Sequence, residues 1–158
     1  MRRKNGGFTL IEIAVAVFIM LLIMLLAVPS MNGVMADRRL RSSLDSLNNL
    51  VQQAQQRSVT ERRPYLIGWE NDRLVLRPEA LKKGEAPEPM ATLNVARGEA
   101  FTLNLPAALT EDPAAQWAFW PTGTCEPAII TFIGANGSWT AAYSALTAQP
   151  QLTSYAAR

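Results

Sequence analysis

Residues 6–28 read Gly-Gly-Phe-Thr-Leu-Ile-Glu-Ile-Ala-Val-Ala-Val-Phe-Ile-Met-Leu-Leu-Ile-Met-Leu-Leu-Ala-Val, an apolar run with one charged residue, Glu12. The three residues at 2–4 are all basic. As an α-helix, the stretch 8–28 would be roughly 31 Å long, which matches the hydrocarbon core of a bilayer. This run therefore predicts a transmembrane helix over 8–28.

Glu12 needs an explanation, because an acid costs about 2.5–3.5 kcal/mol at the centre of a membrane and less near the interface. A cut between Gly7 and Phe8 would create a cationic amine at Phe8, four residues before Glu12. The carboxylate could then neutralise that amine or the amine of a neighbouring copy. Alternatively, Glu12 lies at the membrane interface and is only hydrated. The helix alone leaves both interpretations open.

An ordinary secretory signal is the competing interpretation of the N-terminus. The apolar region of such a signal spans about 7–15 residues and ends at an A-x-A-like site. This run is longer, and residues 26–29 match that site poorly. The basic residues at 2–4 favour a cytoplasmic N-terminus, although the arginines at 38, 39 and 41 weaken the asymmetry.

The composition limits the possible functions of the chain. Its 158 residues suffice for one domain and a helix. The 15 basic and 13 acidic side chains become 12 and 13 without residues 1–7, so charge gives no argument for nucleic-acid binding. The chain has no histidine, and Cys125 is its single cysteine, which excludes an intrachain disulfide. We find no catalytic motif, so we expect no catalytic residue, metal site or cofactor.

The helix is predicted to continue well beyond the apolar run. Pro29 removes a backbone donor, so a kink or local melting is expected there. An amphipathic stripe then follows at helical spacing, formed by Leu40, Leu44, Leu47, Val51 and Ala54. We therefore predict one interrupted helix, with a membrane half over 8–28 and an amphipathic continuation over 29–63, ended by Pro64.

The pattern changes to short β-like runs after Pro64. Two hairpins are indicated, one around Asn71-Asp72 and one around 134–137. Residues 78–90 indicate a solvated loop, and weaker strands follow at 91–96 and 100–105. The aromatic stretch at 116–121 is more typical of a core strand than of a surface that stacks nucleic-acid bases. Leu152–Tyr155 is either an edge strand or frayed.

These runs predict an α+β fold. The long N-terminal helix would pack its second half on an antiparallel β-sheet of about five to seven strands, formed by a globular domain over 64–158.

The segment from Arg2 to Glu12 resembles the class III signal of type IV pilins and type II secretion pseudopilins. That resemblance implies a leader at 1–7, cleavage between Gly7 and Phe8, and methylation of Phe8 by the same prepilin peptidase. It also implies that Glu12 is needed for filament assembly. A proline at the position of Pro29 is a feature of the family. The implied fold is pilin-like.

Further stretches resemble the H-type minor pseudopilins in particular: 28–31, 36–41, 53–58 and 62–64. The resemblance implies a structural subunit of a type II secretion pseudopilus that supports protein export. It would sit in the bacterial inner membrane as a single-pass protein, with its N-terminus cytoplasmic and its globular domain periplasmic. The implied partners are major and minor pilin-like subunits, the prepilin peptidase, the inner-membrane assembly platform and membrane lipid.

Two other classes of function stay open. One is a minor pilin of a type IV or competence pilus that contacts DNA, which would need the arginines at 57, 62, 63, 73 and 77 on one exposed face. The other is a membrane-anchored periplasmic enzyme that keeps its N-terminal helix uncut and has a pocket with perturbed carboxylates. We expect neither nucleic-acid binding nor catalysis.

Overall fold

The computed structural model describes residues 9–106 and 116–157, without the side chains of 26–32. The chain divides into two compact units between Met35 and Ala36. One helix, α1, spans Leu10–Glu61. In the described part of the chain eight strands follow it: β1 (Tyr65–Glu70), β2 (Arg73–Pro78), β3 (Ala91–Asn94), β4 (Ala100–Asn104), β5 (Trp117–Phe119), β6 (Ala128–Gly134), β7 (Gly137–Tyr143) and β8 (Pro150–Ala157).

In the first unit, the helix segment Leu10–Leu25 has apolar side chains on all sides, with Glu12 as its one charged residue. From Leu10 to Leu25 its large hydrophobic side chains all face solvent, with exposed fractions from 49% at Leu22 to 91% at Leu10. The helical assignment continues through Pro29, so the proline does not interrupt the helix, and the predicted kink stays a prediction. No helix within the described residues is both long and apolar enough to count as a membrane span. Phe8 and the side chains of 26–28, which belong to the predicted span, lie outside those residues.

The second part of α1 packs as the periodicity predicts. Leu40, Leu47, Val51 and Ala54 are almost completely buried, and Leu44 packs against the same core. An apolar stripe at this spacing lies along one side of a helix, so that side can be covered while the opposite side stays wet. The predicted amphipathic continuation is confirmed for these residues.

The strands form two antiparallel sheets of four strands. The first sheet has the order β3-β2-β1-β5, and the second has the order β4-β6-β7-β8. The α+β class is confirmed, but the expectation of a single sheet with fewer strands is wrong. The core lies between α1 and the two sheets, and its largest fully buried side chains are Trp117, Trp139, Tyr65 and Phe119.

Both predicted hairpins are present. β1 pairs with β2 in register from Tyr65↔Pro78 to Glu70↔Arg73. Asn71 and Asp72 have φ angles of 48° and 57°, the left-handed conformation that a two-residue hairpin turn needs and that Asn and Asp tolerate. In the second hairpin the turn is shorter than predicted, because Gly134 and Gly137 pair with each other and only residues 135–136 form the turn.

The remaining strand predictions are confirmed with shifted bounds. The 78–90 segment contains no helix or strand beyond Pro78, and β3 and β4 follow it. The aromatic stretch forms β5, whose three residues are buried in the core. The C-terminal strand is longer than predicted: β8 extends beyond Leu152–Tyr155 at both ends and pairs with β7 except at Thr153, where the register shifts.

Candidate functional site

Glu12 lies in the first turn of α1, where Thr9 caps the helix. The Glu12 N–H donates to the Thr9 carbonyl at 3.0 Å and to the Thr9 hydroxyl at 3.3 Å. Threonine followed three residues later by glutamate is the pattern of a capping box, a signal that the sequence analysis missed. A carboxylate in a first turn also interacts favourably with the helix dipole. Glu12 therefore stabilises the start of α1, where it is the only side chain from Leu10 to Leu25 that is not apolar.

The carboxylate of Glu12 is exposed within an exposed apolar surface. Of the described residues from Leu10 to Leu25, Glu12 is the only charged one. A helix that is apolar all round must be covered by lipid or by other helices to be stable. In either setting, a single acid is a point at which a cation would bind strongly, because opposite charges attract more strongly where water is excluded.

The other residues of the predicted processing site cannot be placed. Gly7 and Phe8 lie outside the described residues. Pro29 lies in the helix, and its side chain also falls outside. The proposed cleavage and methylation at Gly7/Phe8 therefore stay predictions.

Three aromatic side chains of the second sheet bind polar groups of α1. The Tyr155 hydroxyl lies 2.5 Å from Asp37 Oδ1, Trp139 Nε1 lies 2.8 Å from Ser43 Oγ, and the Tyr143 hydroxyl lies 2.6 Å from Asn48 Oδ1. We call these three contacts the helix–sheet seam. Its partners on α1 follow one another along the helix, so the seam fixes both the position and the rotation of the helix on the sheet.

The pKa values that burial and hydrogen bonding shift in the seam include those of Tyr143 and Asp37. Burial raises the pKa of Tyr143, so its hydroxyl keeps its proton and acts as a donor. The hydrogen bond from Tyr155 lowers the pKa of Asp37, helped by the charge of Arg41. Both groups therefore hold the protonation states that the seam needs over the neutral pH range.

Near its C-terminal end α1 is bonded to two loops. The Gln55 amide donates to the carbonyls of Gly123 and Thr147, at 2.7 and 3.3 Å. Ser58 is completely buried, and its hydroxyl lies 2.8 Å from the Gln55 carbonyl and 3.0 Å from the Trp120 carbonyl. Sequence reasoning missed Ser58, because a serine in a polar helix segment gives no sign that a distant loop will cover it.

Loss of the Tyr143 hydroxyl is expected to weaken the fold. In Tyr143→Phe, the Asn48 carbonyl oxygen loses its donor beside the core, and the free energy of unfolding should fall by about 1–2 kcal/mol. Chemical denaturation of the full chain in detergent would measure this.

Tyr155→Phe is the matched control. Its partner Asp37 can be hydrated, so the free energy of unfolding should fall by less, about 0.5–1 kcal/mol. Equal losses in the two variants would show that burial of the Asn48–Tyr143 pair has no special role.

Arg63 connects the end of α1 to the 78–90 loop. Its guanidinium contacts Glu61 Oε2 and Glu85 Oε2, each at 2.6 Å, and the Tyr65 hydroxyl at 3.1 Å. The Arg63 side chain is itself mostly buried, and it lies 5.3 Å from the centre of the Tyr65 ring. Glu85 also accepts the Lys82 N–H at 2.8 Å. We call these contacts the Arg63 clamp.

The clamp predicts a loss of stability in acid. The hydrogen bond from Arg63 lowers the pKa of Glu85 from 4.5 to about 2. A lowered folded-state pKa stabilises the fold above the unfolded pKa and ceases to do so as the pH falls through the folded one. Wild type should therefore be more stable than Glu85→Gln at neutral pH, and the difference should vanish as the pH falls from about 4.5 to about 2.

Thermal unfolding midpoints at a series of pH values would measure that difference. The exposed Glu88→Gln, in the same loop, is the control and should follow wild type at every pH. A difference between wild type and Glu85→Gln that persists unchanged at pH 2 would contradict the role of the clamp.

The arginines that a DNA-binding face would need are largely paired with acids. Arg57 and Arg63 contact Glu61, Arg63 also contacts Glu85, and Arg77 contacts Glu70. Charges that are already neutralised contribute little to the release of counterions that drives phosphate binding. The arrangement of these side chains therefore does not favour a nucleic-acid interface.

Chemically reactive groups are sparse in the described part of the chain. No cluster of three or more potential metal-ligating side chains occurs there. Cys125 is a free thiol, 4% exposed, and burial raises its pKa to about 11. A buried, protonated thiol is a poor nucleophile, so Cys125 acts as a core residue.

Residues 2–28 match the family described as the prokaryotic N-terminal methylation motif. No curated protein sequence is significantly similar to the chain.

Solved structures with a similar fold include two proteins. One is the type IV minor pilin FimU of Pseudomonas aeruginosa, with a TM-score of 0.54, 17% identity, and coverage of 75% of this chain and 90% of that one. The other is the minor pseudopilin EpsH from the type II secretion system of Vibrio cholerae. Its two structures give TM-scores of 0.52 and 0.53 at 12% and 11% identity. They cover 71% and 76% of this chain and 93% and 98% of the EpsH chains.

Proposed function

The chain is pilin-like, with an N-terminal methylation motif and a pilin fold, and on that premise we propose that it is a minor pseudopilin of a type II secretion pseudopilus. In this role it assembles through α1 after removal of residues 1–7 and supports protein export. The proposed activity is structural, and no catalytic residue, metal or cofactor takes part.

The observation that carries this proposal is the exposed apolar surface of Leu10–Leu25 with its single acid, Glu12. At about 25 cal/mol per Å² of apolar area, so many exposed large side chains make a strong drive toward burial. Before assembly, lipid would cover them in the bacterial inner membrane. After assembly, the helices of other subunits would cover them in a filament.

Glu12 would set the register of that assembly. Cleavage after Gly7 gives Phe8 a free amine, which stays cationic after methylation. The Glu12 carboxylate of one subunit would bind the Phe8 amine of its neighbour, because both charges are expensive in an apolar core unless they are paired. This contact requires the leader to be absent, so processing and assembly are coupled.

The proposed topology follows from the same steps. The N-terminus is cytoplasmic, residues 8–28 cross the inner membrane, and the globular domain is periplasmic. The partners are other pilin-like subunits, the prepilin peptidase that also methylates Phe8, the inner-membrane assembly platform, and lipid. Pro29 would let the helix bend within the filament.

A minor pilin of a type IV pilus is the second candidate. The fold is as similar to the type IV minor pilin FimU as to the pseudopilin EpsH. This similarity therefore supports the second candidate as much as the first. Copurification separates the two, because a pseudopilin should be recovered with secretion-system subunits and a pilin with pilus subunits.

Mass spectrometry of the N-terminus tests the proposal. Co-expression with a prepilin peptidase should remove residues 1–7 and add a methyl group to Phe8. Gly7→Val should leave the leader intact, because a branched side chain at the cut site blocks access to the peptide bond. Gly33→Ala is the control: its added Cβ would meet no atom within 4 Å, and processing should be unchanged. An intact leader in wild type, or cleavage beyond Ala27, would refute the proposal.

A further inference from the structure

The second sheet differs from the first in its charge. None of the residues in β4, β6, β7 and β8 is charged. The first sheet, in contrast, carries Glu70, Arg73 and Arg77 on its strands. A solvent-facing surface usually contains about a quarter to a third charged residues, so a whole sheet without any indicates a surface that is covered in use.

Among the described residues, no strand pairs with the outer side of β8, which is an edge of that sheet. β8 has eight residues, whereas the other edge strands, β3, β4 and β5, have four, five and three. Every β8 residue except Tyr155 is exposed. Natural edge strands are usually protected by charges, proline or bulges. β8 has only a proline at its first residue and one irregularity opposite Thr140/Ala141, so a long row of backbone groups stays available for pairing.

The outer face of the second sheet adjoins β8, and its strand residues are also uncharged. A row of hydroxyl side chains crosses all four strands, through the pairs Thr102↔Thr131, Thr131↔Thr140 and Thr140↔Ser154. Thr131 and Thr140 are hydrogen-bonded at 3.2 Å, and Ile129 and Ile133 lie exposed on either side of Thr131 along β6. Ser154 and Thr102 thus occupy equivalent positions at the two opposite edges of one face.

We infer that β8 binds an extended, uncharged strand of a neighbouring pilin-like subunit of a different kind, which adds a fifth strand to the second sheet. The partner is a strand because the open N–H and C=O groups of an edge are satisfied by another backbone. Its side chains are uncharged, because a charge placed against this surface would lose water and gain no opposite charge.

The position of β8 in the domain identifies a neighbouring subunit as the source of the strand. The bond between Tyr155 and Asp37 fixes β8 beside the second residue of the globular unit, where α1 enters it. Helices that assemble side by side bring the entry points of adjacent domains together. This step rests on the proposed function.

Photocrosslinking of the full chain in cells tests the inference. A thiol-reactive benzophenone is attached to Ser154→Cys or, as the matched control, to Thr102→Cys. The buried native Cys125 should stay unlabelled. Illumination should crosslink the Ser154 variant to another pilin-like subunit, identified by mass spectrometry, at least about tenfold more than the Thr102 variant. Ser154→Lys should lower recovery of that subunit at least about tenfold while Thr102→Lys does not, because an edge lysine opposes strand pairing.

The N-terminal mass of the same samples separates the two proposals. A processed N-terminus with no Ser154 crosslink, or with equal crosslinks from both positions, overturns the inference and leaves the proposed function standing. An unprocessed N-terminus with a Ser154 crosslink refutes the proposed function and leaves the edge as a docking strand. A Ser154 crosslink to a second copy of this chain, or to an exported protein, overturns the choice of partner. If the N-terminus is unprocessed and no Ser154 crosslink forms, both the proposed function and the inference about β8 are overturned.

Discussion

Replacement of Gly137 by alanine is expected to lower the free energy of unfolding by about 3 kcal/mol or more, the largest single-site loss that we predict for the domain. Gly137 is the first residue of β7 and has a φ of 130°, a conformation that is strained for any residue with an L side chain. A Cβ there would overlap with the Ala156 carbonyl oxygen and lie 3.0 Å from the Ala157 Cα. These are backbone atoms of β8, so the clash cannot be relieved by turning a side chain.

Gly98→Ala is the control that introduces backbone strain without a steric clash. Gly98 also has a positive φ, of 86°, but an added Cβ would meet nothing within 4 Å. Its loss should be about 1–2 kcal/mol, from backbone strain alone. Denaturant titration of both variants measures the difference, and hydrogen exchange should show that β8 loses protection first in the Gly137 variant. Equal losses would mean that β8 moves away from the added methyl group at little cost.

Replacement of Glu12 by glutamine is expected to abolish filament incorporation while leaving leader removal intact. If the carboxylate pairs with a neighbouring amine in the apolar core, its loss leaves that cation buried and uncompensated, a penalty of about 3–5 kcal/mol. Such a penalty reduces incorporation at least about a hundredfold. Quantitative mass spectrometry of sheared filaments, normalised to the processed protein in membranes, would measure it.

Asp45→Asn is the matched control, since it makes the same change of carboxylate to amide on an exposed position of the same helix. Its incorporation should equal that of wild type. If the Glu12 variant is processed and incorporated normally, the hydrated interpretation of Glu12 is correct and the pairing with Phe8 is not.

The parts of the fold that depend on local pattern could be predicted from the sequence. The stripe from Leu40 to Ala54 has helical spacing, and burial on one side follows directly from that spacing. The Asn71-Asp72 turn was identifiable because these two residue types tolerate the left-handed conformation that the hairpin requires. Neither inference needed any knowledge of distant residues.

The division into two sheets could not be predicted in this way. It depends on which strands pair across long stretches of chain, as when Trp117 on β5 pairs with Ile67 on β1. Alternation within a strand shows that one side is buried but does not show which sheet buries it. The full length of β8 was missed for a related reason, because its polar, small residues carry little strand signal before β7 is present to pair with them.

The candidate site also has one part that could be predicted from the sequence and one part that could not. The processing motif is contiguous, so its resemblance to the class III signal was enough to propose roles for Gly7, Phe8 and Glu12. The helix–sheet seam is not contiguous: Asn48 and Tyr143 are 95 positions apart. A polar residue at the border of an amphipathic stripe is normally a solvated one, and only the folded sheet shows that a tyrosine hydroxyl reaches it.

The burial of Cys125 means that the chain carries its own reporter of unfolding. A thiol with a pKa of about 11 and almost no exposure reacts with alkylating reagents only when the domain opens. Because no other cysteine competes for reagent, the rate at which intact cells label this chain tracks the population of opened molecules. The stability of the subunit could thus be compared before and after assembly, in its own compartment, without purifying it.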